Sequence, residues 1–217
     1  MSKIKKIFFI VIPLIPIIIG IVFAIVVNVP RLDYTYSKAY DGYLVSLVYG
    51  NGKEYTIPST YNDKKVVGID TRAFYNHYNL ETINFESEEN IKVIERLAFS
   101  ECKSLKNIDL SNVREIGKNA FYNCVSLDNI NVGAKYIGSS AFFGCSSLKN
   151  ITILDDCVSI GSYAFTSCYS LEALTIPKNV MNVGSKCFDY SGIKELRVPS
   201  YLRENSYIVS LDYVVFY

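Results

Sequence analysis

The segment "IGKNAFYNCVSLDNINV", residues 116–132, decides the fold because close variants of it recur along the chain. "IGSSAFFGCSSLKNITI" follows at residues 137–153, and "IGSYAFTSCYSLEALTI" at residues 160–176. A phenylalanine returns at intervals of 25, 22, 21, 23 and 23 residues, at Phe74, Phe99, Phe121, Phe142, Phe165 and Phe188. A near-constant period of about 20 to 29 residues is the signature of a solenoid, in which each repeat forms one coil.

Each unit contains three local patterns. The ending L-x-x-I-x-I predicts a short strand whose last two apolar side chains point to the same side. The preceding A-F pair predicts a tight turn or a short helix, and the I-G step predicts a second short extended segment. The apolar side chains of one coil are too few to offset the conformational entropy of ordering it, so the coils must stack and pair their strands in parallel.

These repeats closely resemble the BspA-like leucine-rich repeat family, whose unit reads I-G-x-x-A-F-x-x-C-x-x-L-x-x-I-x-I-P. The resemblance covers residues 66–199. It implies a right-handed, β-rich leucine-rich repeat solenoid of about six repeats, with short parallel strands stacked coil on coil and short helical turns between them. Members of the family are surface proteins of bacteria and protists, and several are adhesins that bind host or microbial proteins.

An apolar segment precedes the repeats. Residues 7–27 contain no charged or strongly polar side chain. A helix of this length can cross a hydrocarbon core of about 30 Å. Lys3, Lys5 and Lys6 precede it, so the positive-inside rule places the amino terminus in the cytoplasm and the repeats outside. We expect one transmembrane signal-anchor helix at residues 7–28; the alternative is a cleaved signal peptide and a secreted protein.

The sequence therefore divides into six parts: a basic cytoplasmic tail (1–6), the anchor helix (7–28), a linker (29–40), an N-terminal β-hairpin cap with a partial first coil (41–67), the repeats (68–199) and a C-terminal strand cap (200–217). Removing the three N-terminal lysines from the total of 22 basic residues leaves 19 basic against 21 acidic side chains in residues 31–217. This balance argues against a nucleic-acid partner, which requires a basic face.

Cysteines occupy one repeat position, three residues after the phenylalanine, in four units: Cys102, Cys124, Cys145 and Cys168. Because equal positions stack in a solenoid, we expect a structural ladder of small buried side chains. Disulfides between neighbouring coils are the alternative, although parallel side chains do not match the dihedral angle of about 90° that a disulfide prefers. His77 occupies the same position in the first unit and Ser191 in the last.

A pair formed by His77 and Cys102 also fits a nucleophile and its base, or the start of a metal site. No orienting carboxylate, oxyanion-hole pattern or second ligand of suitable spacing accompanies the pair in the sequence. We therefore expect no enzymatic activity and no cofactor.

The outward positions of the strands form the candidate binding face. One polar residue lies between the two inward apolar residues of each strand, and a second lies two positions earlier: Asn84, Asp109, Asn131, Thr152, Thr175 and Arg197, with Asn107, Asn129 and Asn150. A candidate aromatic stripe follows the buried phenylalanines at Tyr75, Tyr122 and Phe143. Solubility alone also explains a polar outward face.

The sequence favours a non-catalytic cell-surface module that binds an extracellular protein or glycan, as extended repeat surfaces commonly do. The alternative is a structural spacer or self-associating surface module without a dedicated ligand.

Overall fold

The computed structural model describes residues 31–217 as a solenoid of short strands. The strands in chain order are β1 (Arg31–Ser37), β2 (Gly42–Tyr49), β3 (Glu54–Ile57), β4 (Thr60–Tyr61), β5 (Lys64–Ile69), β6 (Thr82–Phe85), β7 (Val93–Ile94), β8 (Glu115–Ile116), β9 (Asn129–Val132), β10 (Tyr136–Ile137), β11 (Asn150–Ile153), β12 (Ser159–Ile160), β13 (Ala173–Thr175), β14 (Asn182–Val183), β15 (Glu195–Val198) and β16 (Val214–Phe216). In the same part of the chain, helical structure is confined to α1 (Ser206–Val209) and two 3-10 turns, Glu88–Asn90 and Ser200–Glu204.

One face is a sheet in the order β1-β2-β5-β7-β8-β10-β12-β14, with β4 beside β5. The hairpin β1–β2 is antiparallel, and every later step along the sheet is parallel. Ile116 pairs with Ile137, and Ile137 with Ile160, so equal repeat positions stack. The glycine that follows this isoleucine permits a close approach of coils, because a Cβ on Gly138 would lie 2.6 Å from the backbone of Gly117.

The second face stacks the strands that end each repeat. It consists of β3-β6, β9-β11 and β13-β15-β16, and isolated bridges from Thr82 to Asn107 and from Leu110 to Val132 connect the segment 107–110 into the stack. Within residues 31–217 this face therefore has eight rungs, whereas the sequence predicts about six repeats. The two additional rungs are β3 and β16, which follow the path of a coil without carrying the alanine-phenylalanine motif.

The alanine-phenylalanine segments form hydrogen-bonded turns, which confirms the predicted tight turn, and they do not form the short helical turns that the family resemblance implies. Phe121 N donates to Ala141 O of the next coil at 2.8 Å, whereas Tyr122 N closes a turn on Asn119 O at 3.2 Å. Alternate amides thus link the coils, in a third ladder beside the two sheets. A helix cannot form because left-handed residues flank each phenylalanine, at Arg72, Leu97, Asn119, Ser140, Tyr163 and Lys186 before it and at Asn76, Glu101, Asn123, Gly144, Ser167 and Tyr190 after it.

The core is a continuous stack of the repeat phenylalanines. Their rings are 0–1% exposed, successive centroids lie 4.9–6.1 Å apart, and successive ring planes differ by 2–17°. The centroid spacing is somewhat larger than the distance of about 4.8 Å between paired strands. Each ring therefore packs between the rings of the coils before and after it.

A column of alternating charges runs along the solenoid, at the position before each strand of the second face. Its members are Lys53, Glu81, Lys106, Asp128, Lys149, Glu172 and Lys194. Glu81 binds both Lys53 at 2.8 Å and Lys106 at 2.7 Å. Lys149 binds Asp128 at 3.3 Å, and Lys194 binds Glu172 at 2.9 Å. Opposite charges that face each other on neighbouring coils attract, and each exposed pair of this kind adds at most about 1 kcal/mol to the stacking of the coils.

The amino-terminal end is closed by the hairpin of β1 and β2. Strand β1 begins at Arg31, inside the segment that the sequence suggests is a linker (29–40). Leu32 and Tyr34 of β1 pack against the core, and β2 pairs with β5 of the first coil. The hairpin therefore protects the apolar residues that would otherwise face solvent at this end.

The carboxy-terminal end is closed by helical turns as well as by a strand. Residues 200–217, predicted as a strand cap, form a 3-10 turn and α1 before β16. The ring of Tyr207 lies 6.3 Å from Phe188 at 21°, and its hydroxyl accepts a hydrogen bond from Phe188 N at 2.8 Å. Asn205 caps α1 and donates through Nδ2 to Val183 O at 3.0 Å. Tyr207 thus terminates the phenylalanine stack.

The predicted anchor helix at residues 7–28 lies outside the described residues. Within residues 31–217, no helix has the length and apolar character needed to span a bilayer.

Replacing Phe121 with alanine removes the centre of the aromatic stack. We expect a loss of about 3–5 kcal/mol in the free energy of unfolding, measured by urea denaturation. The control is Tyr136→Ala, which truncates a side chain that is 46% exposed and should cost less than about 1 kcal/mol. Equal losses in the two variants would contradict the central role of the stack.

Candidate binding surface

The strands of the second face place their side chains alternately outward and inward. In β9, β11 and β15 the first and third residues are exposed and the second and fourth are buried. This period of two follows from the pleat of a strand. The predicted face residues are therefore all exposed: Asn84, Asp109, Asn131, Thr152, Thr175, Arg197, Asn107, Asn129 and Asn150.

Seven of these nine residues line one open groove of ≈ 430 Å³ across the rungs from β6 to β11, which we call the strand-face groove. They are Asn84, Asp109, Asn131, Thr152, Asn107, Asn129 and Asn150. The structure does not bring the other two into this groove. Thr175 lines a neighbouring depression beside Pro177 and Tyr217, and Arg197 lies further along the solenoid on β15.

Hydrogen bonds between coils hold several side chains of the strand-face groove. Asn150 Nδ2 donates to Asn129 Oδ1 at 2.6 Å, and Asn84 Nδ2 donates to Glu54 Oε1 at 2.6 Å. Within one coil, Ser111 N donates to Asp109 Oδ1 at 2.8 Å. These contacts fix the amide and carboxylate groups before a ligand arrives, which reduces the entropy that binding costs.

One end of the strand-face groove is acidic, which the sequence pattern does not predict. Glu88 lies in the 3-10 turn of the enlarged unit between Phe74 and Phe99, and its carboxyl contacts that of Asp109. The charge of Asp109, together with the hydrogen bond between the two groups, raises the pKa of Glu88. The only sign of this acidic end in the sequence is the extra length of "ESEENIKV". The extra length indicates an insertion but does not show that Glu88 lies beside the strand face.

The aromatic stripe divides into two parts. Tyr122 and Phe143 stack with centroids 5.0 Å apart at 10°. Tyr75 lies two coils from Tyr122, and the intervening position holds the buried Ser100. Tyr75, Ser100 and Tyr122 line one depression. Phe143 does not line this depression.

The four ladder cysteines are fully buried and free. Each Sγ donates to the phenylalanine carbonyl of the preceding coil: Cys102 to Phe74 at 3.0 Å, Cys124 to Phe99 at 3.1 Å, Cys145 to Phe121 at 3.2 Å and Cys168 to Phe142 at 3.2 Å. Burial raises the pKa of every one of these thiols above the ordinary 9.0. A protonated thiol is the hydrogen-bond donor this position needs, and it is a poor nucleophile.

His77 is half-buried, and burial lowers the pKa of its imidazole. Its ring packs edge-on against Phe74 and Tyr55, with centroids 5.7 and 6.0 Å away. Among residues 31–217, no group of three or more histidine, cysteine, aspartate or glutamate side chains is arranged to hold a metal ion.

Comparison with known proteins identifies the repeats. The sequence profile of the BspA type leucine rich repeat region matches residues 53–136 and 114–208, with six copies. A solved leucine rich repeat protein of T. pallidum is 25% identical, with a TM-score of 0.52 over 76% of this chain and 68% of that chain. A leucine rich cell surface protein of Faecalibacterium prausnitzii A2-165 is 23% identical, with a TM-score of 0.55. That match covers 77% of this chain and about half, 52%, of the other. No curated protein sequence matches the chain.

The buried thiols predict a loss of stability in alkali. Burial raises the pKa of Cys157 to about 11 and that of Cys102 and Cys168 to about 12. An unfolded thiol ionises near 9.0, so between that pH and about 11 these thiols lose protons mainly in the unfolded state, and the free energy of unfolding falls as pH rises.

The variant Cys124→Ser removes one such thiol and keeps a donor for Phe99 O. Between pH 9 and 10 its loss of stability should be smaller than that of the parent by about 1 kcal/mol. Urea denaturation at a series of pH values, with the cysteines kept reduced, measures the difference. An identical pH dependence in the two proteins would contradict a buried, protonated Cys124.

Proposed function

The chain belongs to the BspA-type leucine-rich repeat family, and from this membership we propose that it is a non-catalytic binding module displayed at the cell surface. The observation that carries the proposal is the strand-face groove, in which seven outward polar side chains from four coils line one depression. The related protein of F. prausnitzii is described as a cell surface protein. Extended repeat surfaces of this kind commonly serve recognition.

The proposed ligand is an extended protein segment or glycan that crosses several rungs. Neighbouring rungs lie about 4.8 Å apart, so a ligand that runs along the solenoid meets a new pair of polar side chains at each step. Amides and hydroxyls supply both donors and acceptors. The carboxyl groups of Glu88 and Asp109 at one end favour a ligand that carries a basic or hydroxyl-rich group there.

We further propose that residues 7–28 anchor the module, with the amino terminus inside and the repeats outside. The support is the length of the apolar run and the position of Lys3, Lys5 and Lys6 before it, read by the positive-inside rule. Extraction of cell membranes with alkaline carbonate tests this. An anchored chain stays in the membrane pellet at its full mass, and a secreted one appears in the medium, shortened by the leader.

The binding role is tested by exchanging Asp109, Asn131 and Thr152 together for alanine in the full-length protein. Detergent-solubilised parent protein is first screened on arrays of glycans and of surface proteins, and the strongest ligand is then titrated against both proteins. We expect the affinity to fall at least about tenfold, which is 1.4 kcal/mol. The melting temperature should stay close to that of the parent, because all three side chains are exposed.

The matched control exchanges Glu195 and Arg197, which lie on the same face of the solenoid outside the strand-face groove. It should bind as the parent does. Unchanged affinity of the triple variant for every ligand found would remove the binding role and favour the structural spacer.

A further inference from the structure

The cap at the amino-terminal end carries an unusual concentration of tyrosine. Seven of the chain's 18 tyrosines lie between residues 31 and 61. Four of them form one cluster on β1, β2 and β4, which we call the tyrosine surface: Tyr34, Tyr36, Tyr43 and Tyr61. The ring centroids of contacting members lie 4.1–5.4 Å apart.

The tyrosine surface is only partly buried against the core. Tyr36 and Tyr61 remain 39% and 38% exposed. Lys64 lies over the ring of Tyr36, with Nζ 4.8 Å from the centroid, and it also binds Asp41 at 2.6 Å. Exposed tyrosines accompanied by a lysine are characteristic of the boundary between lipid and water, where the ring enters the headgroup layer and the polar groups stay hydrated.

The position of the hairpin in the chain supports the same partner. Three residues, 28–30, separate the apolar run 7–27 from the start of β1, and three residues extend over at most about 10 Å. The headgroup layer on each side of the hydrocarbon core is about 5–8 Å thick. If residues 7–28 span the bilayer, β1 therefore begins within or directly above the headgroups.

We propose that the tyrosine surface lies in the phospholipid headgroup layer and seats the solenoid upright on the membrane. This inference rests on the proposed anchor and goes beyond it, because an anchor alone leaves the orientation of the repeats free. The hairpin strand β1 then faces the membrane, and the last rung of the second face, β16, faces away. The strand-face groove stands roughly 10–25 Å above the headgroups, at about 4.8 Å per rung, where an extracellular ligand reaches it.

The chain contains no tryptophan, so a single introduced tryptophan reports on its own surroundings. Tyr36→Trp and Tyr61→Trp place reporters on the tyrosine surface. Tyr190→Trp is the control, since Tyr190 is 77% exposed and lies roughly 30 Å along the solenoid at about 4.8 Å per rung. Each full-length variant is reconstituted in phosphatidylcholine vesicles with ordinary or brominated acyl chains, and its fold is checked by its melting temperature.

We expect brominated lipid to reduce the emission of the reporters at 36 and 61 about twofold, because interfacial aromatic rings reach the top of the acyl chains. The emission at 190 should not change. Equal emission at all three positions, in chains that remain with the vesicles after a carbonate wash, would overturn the inference and leave the anchor intact. Loss of the chain from the vesicles in that wash would instead overturn the proposed anchor, and with it the proposed contact between the tyrosine surface and the headgroups.

Discussion

The structure depends on the stacking of the buried phenylalanine of each coil against the phenylalanines of the coils on either side. At Phe121 the ring packs between those of Phe99 and Phe142, while its backbone amide donates to Ala141 O of the following coil. A coil alone cannot supply these partners, so it has no stable isolated form. The remaining features serve this stack: alanine and cysteine fill the space beside the rings, and the two sheets keep the coils in register.

The caps follow from the same constraint. A stack of identical coils would leave a phenylalanine ring and a row of backbone groups exposed at each end. Tyr207 covers Phe188 with a ring whose hydroxyl meets the Phe188 amide, and the hairpin of β1 and β2 covers the first coil. The tyrosine-rich hairpin directly follows the proposed anchor in the chain, whereas the strand-face groove lies in the middle coils.

The sequence predicts the repeats, the buried columns and the outward positions because all three follow from a period that can be read directly. It does not predict the left-handed backbone at Leu97, Tyr163 or Lys186, since nothing in these side chains favours it and only the hydrogen bonds of the stacked coils impose it. The rungs β3 and β16 lack the alanine-phenylalanine motif, so the sequence predicts only a partial first coil and a strand cap where they lie. Glu88 reaches Asp109 only through an insertion. The alternation of charges is visible in the sequence, but only the stacking of these positions shows that the charges form ion pairs between coils.

The alanine-phenylalanine turns are hydrogen-bonded ladders of the core and not loops. Native-state hydrogen exchange can distinguish the two. The amides of Phe99, Phe121 and Phe142, which bond to the next coil, should exchange only on global unfolding, with the same free energy as the buried strand amides. Exchange of these amides through local opening, at a much lower free energy than the strands, would show instead that the turns are loops outside the cooperative core.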